Sequence, residues 1–551
     1  MLIHEYPHIT CFPIAQPDGG RDAIQALNSD DSNIAQFAVY QVKFSRSPSE
    51  IDDVAKWIAE KVSGEREKIE KLISRGACRY ILITNVPGTG HLDVGSMDKT
   101  VSQLQSEFSI PTEIWWRDDI NRRLDGNWDI KLRYSEVLSG HDFFRLLLET
   151  TTGQEHERRT NALRAYLAEQ YSEDVDVKFK QVELHTKLLD LFIDLPFRLS
   201  LRTTGFDVTR FRANIPCRLT YEDSKLITLT NAHEEQSLEG TATLLLSEFG
   251  DQHLNQVVIE GAPGQGKSTL AQYLCQVHRI RLLDKNVDLL KIPEFDRHFS
   301  HRIPFKVDLR DLASWVAGVD PFIATTTAMT ESRSLESFLA RLIRHHSGGL
   351  NFDVNDLLEI SKLSPLLIVL DGLDEVVDIK QRADVIAAVN KALPRLRENC
   401  PGLSLIVTSR PAAFANSPGF DPDQFVYIDL LSVKRSQIDQ YAKKWMDVRG
   451  LSSKEQVEFE QILKEKLDAP HLRDLARNPM QLTILLSLIL TQGPALPDKR
   501  TNLYDTYVDL FFSRESAKNV AVRRHIDLLK DIHRYIGLRW SRLSEQIFRI
   551  D

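Results

Sequence analysis

The sequence predicts a multidomain α/β protein organised around a doubly wound parallel sheet, and three stretches carry that prediction. The first is Val257 to Leu270, an apolar strand that breaks into a glycine-rich loop and then enters a helix. The second is Leu366-Leu367-Ile368-Val369-Leu370-Asp371, a continuous apolar strand ending in acids. A strand that is apolar on both faces is what a parallel sheet covered by helices requires. The third, far upstream, is Phe37 to Phe44, which reads with its neighbours as a separate α/β module. At 551 residues the chain exceeds a single core, and ordinary domain size divides it into roughly three or four domains.

Composition narrows the class. A hydrophobic share of 42% with 27% charged residues is that of globular proteins rather than disordered or fibrous ones. No apolar run approaches the roughly 20 residues needed to span a bilayer; the nearest, Met480 to Leu490, reads as a core helix. The N-terminus has no basic segment followed by an apolar one, so nothing directs export. Five scattered cysteines, Cys11, Cys78, Cys217, Cys275 and Cys400, have neither metal-ligand spacing nor the look of a disulfide framework. A reducing cytoplasm without a membrane partner is the expectation. The formal charge of −9 argues against a general nucleic-acid coat and leaves room for a local site.

In chain order, the first module runs from Pro17-Asp18-Gly19-Gly20-Arg21-Asp22 through a polar turn at Asn28 to Asn33 into the strand Phe37 to Phe44. Side chains alternate along a strand, so Gln41 and Lys43 share one face while Val42 and Phe44 take the other. A hairpin through the polar turn brings Asp22 alongside them. An acid, an amide and an ammonium round one point can hold Mg²⁺ through Asp22 and the Gln41 region while Lys43 orients water or stabilises a pentacovalent phosphate. A helix over Ser49 to Ser74, a buried strand Tyr80 to Thr84, a strand Thr112 to Trp116 and a helix Asp118 to Leu124 complete the module. Asp-Gly-Gly-Arg-Asp followed by Gln-Val-Lys resembles the restriction-endonuclease-like fold in its Mrr-like form. That resemblance implies a Mg²⁺-dependent DNA endonuclease with Asp22 as metal ligand and Gln41 and Lys43 as catalytic partners. Relatives carry a glutamate on a helix ahead of the acid, and here only Glu5 precedes it. The competing reading is an α/β module whose Asp22 caps a turn and whose Lys43 is solvated.

From His141 to about Lys180 the sequence is helical and charged, with Phe143, Phe144, Leu146, Leu147, Leu163 and Leu167 at helical spacings. The apolar run Leu188 to Pro196 follows, and the polar stretch after it, to about Glu235, gives no assignment. Gln236 to Phe249 is expected to be a helix delivering the chain to the glycine loop. In that loop, Gly261, Gly264 and Gly266 allow backbone conformations that turn successive N–H groups toward a nucleotide's phosphates, through Ala262, Pro263 and Gln265. Lys267 then reaches the β- and γ-phosphates, Ser268 ligates Mg²⁺, and Thr269 continues into a helix to Leu282 whose N-terminus favours phosphate charge. ATP or ADP with Mg²⁺ is therefore the expected cofactor.

Asp371 emerges at the carboxyl end of its strand, where parallel sheets bind ligands, and is placed to hold the Mg²⁺ shell. Asp374 and Glu375 are placed to polarise the attacking water. A further strand, Ser404 to Val407, ends in Thr408-Ser409-Arg410-Pro411, and Arg410 can sense the γ-phosphate. Together these stretches resemble the NACHT division of the STAND NTPases, with Asp-Gly-Leu-Asp-Glu at 371 to 375, the intervening strand Ile303 to Arg310, and Arg477-Asn478-Pro479-Met480 as a helical-domain turn. The resemblance runs from about Leu188 to the end and implies that Pro479 lies near the adenine and ribose. It also implies that Leu496-Pro497 and Leu503 to Glu515 begin a winged-helix region. Members continue into a long repeat sensor, which this sequence lacks at Asp551, so a fragment of a longer protein is expected.

The expected organisation is a nuclease-like head at 1–135, a helical linker at 136–250, a P-loop NTPase core at 251–430, and an all-α helical region with a partial winged helix at 431–551. A nuclease-like head on such a switch resembles bacterial antiviral proteins of the NACHT type. It implies a foreign, phage-derived protein trigger, assembly into a homo-oligomer, and double-stranded DNA as substrate. Two alternatives stay open: a regulatory or scaffold NTPase whose first domain binds DNA or a partner without cleaving it, and a transcriptional regulator. The absence of a basic helix-turn-helix signal counts against the second.

Overall fold

Burial of four successive residues, Ala38 to Gln41, in Gln36–Lys43 (β3) and the apolar run Ala77–Thr84 (β4) go with their place at the centre of a five-stranded sheet. The computed structural model describes every residue except 1, 3–5, 7, 13–20, 28–35, 46–47, 49–50, 92–94, 126, 128–129, 132–139, 141, 145–153, 178–186, 201–239, 298–300, 324–330, 412–418, 497–504, 507, 510–524, 526, 533 and 536–551. The chain divides into two units, Met1–Leu138 and Ser139–Asp551.

In the first unit the strand order is β1 (Ile9–Cys11), β2 (Ala23–Leu27), β3, β4, β5 (Thr112–Trp115). β2 and β3 pair antiparallel across the expected hairpin, whereas β3, β4 and β5 run parallel. Parallel neighbours need a crossover, and the helices supply it. Val54–Ser63 (α1), Arg66–Ile73 (α2) and Ser96–Phe108 (α3) bury Ile58, Val62, Ile69, Leu72, Leu104 and Phe108 against Val39, Tyr80, Leu82 and Ile114. Ile120, on Arg117–Asp125 (α4), packs on the opposite face against Tyr40, Ile81 and Trp115. The single helix expected over Ser49 to Ser74 is instead two, because the chain breaks at Gly64-Glu65, where Glu65 leaves helical geometry at φ −110°, ψ 1°. That break puts a carboxylate at the head of α2.

In the second unit six strands lie in the order β6 (Phe197–Leu199), β11 (Val426–Leu430), β7 (Gln256–Glu260), β10 (Leu403–Ser409), β9 (Leu366–Asp371), β8 (Ile303–Asp308). Five run parallel, and β6 closes the edge antiparallel to β11. Alternate strand residues feed two cores: Val257, Ile259, Leu367, Val369 and Ile406 enter one, and Val258, Leu366, Ile368, Leu370 and Leu405 the other. Burial on both faces explains why these strands read as unbroken apolar runs. β8 stops at Asp308 rather than Arg310, because the Asp308 carboxylate accepts from Arg310 N–H and caps the helix Leu309–Val316 (α7). The helix expected over Gln236 to Phe249 is, within the described residues, two short ones, Thr241–Leu245 and Glu248–His253, with Ser247 capping the second. After β11 come the helices Arg435–Val448, Ser453–Lys466, Pro470–Ala476 and Pro479–Gln492. The expected winged-helix start at 503–515 lies almost entirely outside the described residues, as do Glu5 and Pro497.

Gln154–Glu173 (α5) is fastened onto the glycine-loop helix Lys267–Leu282 (α6). A helix C-terminus leaves its last carbonyls without partners, and side chains of α6 supply them. Gln276 Nε2 donates to Tyr171 O at 2.9 Å, and Gln272 Nε2 to Asp174 O and Asp176 O at 3.1 and 2.7 Å. Beneath them Arg279, fully buried, pairs with Asp174 at 2.7 Å, whose other oxygen takes Lys306 at 2.6 Å. Replacing Arg279 by leucine is expected to lower unfolding free energy by about 3 kcal/mol, since a buried pair that loses one partner costs about 3–5 kcal/mol and Lys306 still compensates part of Asp174. A thermal melt checks it: an unchanged Tm would show that the cation contributes nothing.

Candidate functional site

Gly264 and Gly266 have φ of +73° and +89°, the left-handed region where a side chain is strained. They wrap the loop between β7 and α6 so that its backbone amides converge. Gln265 braces the turn, accepting from Ala262 N–H at 2.6 Å and donating to Leu430 O at 2.8 Å at the end of β11. Lys267 Nζ donates to Gly261 O at 2.7 Å and Ala262 O at 3.2 Å, while Ser268 is exposed on the first turn of α6. From the C-terminal helices, Asn478 Nδ2 donates to Pro263 O at 2.9 Å and Met480 N–H to Gly264 O at 3.3 Å. Any side chain at Gly264 would strike Asn478 and Met480.

The acids lie at the same end of the sheet. β10 stands between β7 and β9, so the loop and the acid strand are not neighbours; the end of β10 reaches both, Thr408 donating to Asp371 and accepting from Gly372 N–H at 2.9 Å, and Ser409 O accepting from Gly261 N–H at 3.2 Å. Asp374 pairs with Arg410 at 2.7 Å, and Glu375 with Arg310 at 3.1 Å. Burial holds the Lys267 ammonium below its ordinary pKa, assisted by Arg410 and opposed by Asp374, Asp371 and Glu375. One lysine, three carboxylates and an arginine thus share an electrostatic neighbourhood. Arg310, Asn478 and the brace Gln265 are the members whose roles no local pattern announced.

Beside the loop is a small open cleft lined by Val177, Phe192, Ile193, Leu195, Tyr441 and Pro479 with Gly266 and Thr269. Phe192 stacks on Tyr273 at 3.6 Å, and its carbonyl accepts from Lys444 Nζ at 2.6 Å. An apolar slot opening onto a phosphate-type loop suits a flat heterocycle. Its Leu191–Leu195 wall belongs to the apolar run Leu188 to Pro196, where the family resemblance begins.

In the first unit, Asp22 sits just before β2, and its carboxylate accepts from Val42 N–H at 2.6 Å across the hairpin. Gln41 is 3% exposed, and its Oε1 accepts from the Tyr80 hydroxyl at 2.6 Å. Lys43 Nζ reaches Glu65 Oε1 at 3.4 Å, and the other Glu65 oxygen takes Lys68 at 2.7 Å. Lys68, then Lys43, hold the Glu65 carboxyl below its usual range against burial. The Tyr80 phenol is raised by burial and then by the Glu65 and Asp22 charges, which places both carboxylates near the Tyr80–Gln41 pair. Asp22 thus joins β3 at Val42, between Gln41 and Lys43, whose own side chains bond Tyr80 and Glu65. Sequence reasoning missed those two because their strand and helix positions follow from long-range pairing. Arg46 lies outside the described residues.

A family model described as Nephrocystin 3, N-terminal, matches residues 246–410. No curated protein matches the chain significantly. Among solved structures, the ORC1 protein of Aeropyrum pernix in complex with DNA is 14% identical, covering 51% of this chain and 78% of its own, with a TM-score of 0.21. C. elegans PCH-2 is 11% identical, covering 50% of this chain and 64% of its own, at 0.24. Superpositions this loose carry no argument. The family match and the loop, acid strand and sheet described above make residues 246–410 a P-loop NTPase module. Among the described residues no helix is long and apolar enough to cross a membrane.

Proposed function

We propose that the chain is a cytoplasmic ATP-dependent switch of the NACHT division of STAND NTPases, which on sensing a trigger assembles and activates a Mg²⁺-dependent DNA endonuclease in its first unit. The observation that carries the switch is the gathering of Lys267, Asp371, Asp374, Glu375 and Arg410 at one end of the parallel sheet. Lys267 and the loop amides bind the phosphates. The hydroxyl of Ser268 and the carboxylate of Asp371 are hard oxygen donors suited to Mg²⁺, which would neutralise phosphate charge there. Asp371 Oδ1 is taken by Thr408, which leaves Oδ2 for that role. Glu375 orients the attacking water, and Arg410 reads the γ-phosphate by exchanging Asp374 for it. Pro479 and the cleft beside it receive the base. Such a switch shifts only as far as nucleotide and trigger bind one state more tightly than the other.

The nuclease reading is supported by Asp22 bonded to Val42 between Gln41 and Lys43, with a second acid, Glu65, on Lys43 and the buried Gln41–Tyr80 pair beside it on the strand. Asp22 supplies a Mg²⁺ ligand, and Lys43 the charge for a developing phosphorane. An antiphage role with a phage protein as trigger and a homo-oligomer as the active form completes the proposal. The Lys43–Glu65–Lys68 pairing also suits a non-cleaving scaffold, so one assay separates the two. Incubated with supercoiled plasmid, Mg²⁺ and ATP, the protein is expected to yield nicked or linear DNA; a gel shift without cleavage would favour the scaffold.

A further inference from the structure

We infer that Glu169, Glu173 and His346 form a binding site for a divalent transition-metal ion of the zinc class, which clamps α5 to the helix Leu335–His346 (α8). Glu169 and Glu173 lie one turn apart on α5 and so project from the same side. His346, the last residue of α8, brings its Nδ1 within 3.5 Å of Glu169 Oε1 and 3.9 Å of Glu173 Oε1. The three ligand atoms all lie within 4.8 Å of one another. Bonds of about 2.0–2.1 Å in a tetrahedral ion set ligand atoms about 3.4 Å apart; the His346 distances are within about half an ångström of that, and the widest separation closes by at most about 1.4 Å through rotation of the half-exposed glutamate side chains. Like charges at this spacing on a helix are destabilising on their own; a shared cation reverses the sign of that term.

The imidazole is held ready. Tyr166, Phe322 and His345 meet its ring at 61°, 75° and 75°, with centroids 6.2, 6.5 and 4.8 Å away, which fixes the direction of its two nitrogens. Nδ1 is enclosed and makes no hydrogen bond of ordinary geometry. Nε2 lies 3.2 Å from the side-chain amide of Gln170, which sits between the two glutamates in sequence and also contacts Glu173 at 2.8 Å. As it stands the amide nitrogen faces Nε2 and donates to Glu173, and its oxygen accepts from Arg279 at 3.4 Å, so an ion taken by Nδ1 requires the imidazole to move its proton to Nε2 and this amide to rearrange. One imidazole with two carboxylates suits Zn²⁺ or Mn²⁺ better than Mg²⁺ or Ca²⁺, which prefer all-oxygen shells. Three protein ligands leave a position for water, and the side chains of Glu169 and Glu173, 50% and 42% exposed, give the ion a way in. The site is independent of the nucleotide reading.

The test uses the full chain stripped with a chelator and titrated with ZnCl₂ by calorimetry, with MgCl₂ as control. Zinc is expected to bind at one site with micromolar Kd and, at 100 times Kd, to raise Tm by about 4 °C or more. Mg²⁺ at the same concentration leaves Tm unchanged. Glu169→Gln combined with Glu173→Gln, and separately His346→Ala, each weaken zinc binding at least about tenfold and remove the visible absorption of bound Co²⁺. The paired glutamine variant alters only exposed side chains, so its far-UV circular dichroism stays that of the parent and affinity remains measurable should His346→Ala misfold. Absence of zinc binding below about 1 mM, or unchanged affinity in the paired variant, overturns the site.

Discussion

Lys267→Ala is expected to weaken ATP and ADP binding about 30- to 150-fold, the 2–3 kcal/mol that a hydrogen bond to a charged group contributes. Lys267 bonds to two carbonyls of its own loop, Gly261 O and Ala262 O, and a phosphate would replace these weaker acceptors. Truncation leaves the loop's other supports in place: Gln265 still ties Ala262 to Leu430, and Asn478 still holds Pro263. The fold therefore survives, and the loss reports the phosphate contact rather than unfolding. Removing the cation also leaves Asp374 and Glu375 with their arginines, Arg410 and Arg310, and Asp371 with the Thr408 hydroxyl, so residual carboxylate charge opposes an incoming triphosphate. Calorimetry with Mg²⁺ and each nucleotide measures it. Equal affinities in variant and parent would remove the phosphates from this loop.

The isolated first unit is expected to cleave DNA hardly at all as a monomer and efficiently once fused to an unrelated oligomerising domain. Between residues 1 and 130 there are 14 Lys and Arg against 20 Asp and Glu, a net charge of −6 with His neutral. Phosphate neutralisation supplies most non-specific DNA affinity, and an acidic module offers little beyond the neighbourhood of Lys43. Even there Lys43 is shared with Glu65. Joining several copies multiplies weak contacts through effective concentration and sets active sites against both strands of a duplex. In the fusion, Lys43→Ala is expected to cut the rate by about 10²–10³-fold, the scale for removing a group that stabilises developing charge. Efficient cleavage by the monomeric unit would end the assembly requirement. Cleavage that survives Lys43→Ala would move the active site elsewhere.

Elements of strong local character are legible in the residues themselves: β3, β9 and β10 from their apolar patterns, and α6 from the loop that launches it. Boundaries are misjudged where capping competes with periodicity. Gly64-Glu65 split an expected helix, Ser247 split another, and Asp308 ended a strand two residues early to cap α7. The edge strand β6 is not legible because three residues carry too little periodicity to separate strand from coil.

What the sequence by itself determined is therefore the chemistry written in adjacent residues: glycines that permit left-handed turns, a lysine and serine following them, and acids ending a strand apolar on both faces. Each depends on backbone sterics or on the pleat, which act over a few residues. The tertiary structure alone decided that β10 inserts between β7 and β9, so that Thr408 holds Asp371 while Ser409 holds Gly261 of the loop. It alone set Arg310 on Glu375, Asn478 on the loop and Lys43 on Glu65. These partners are separated by 22 to 215 residues, and no periodicity links them; they meet because in each unit the helices pack closely on that unit's own sheet and so set which strands and loops are neighbours.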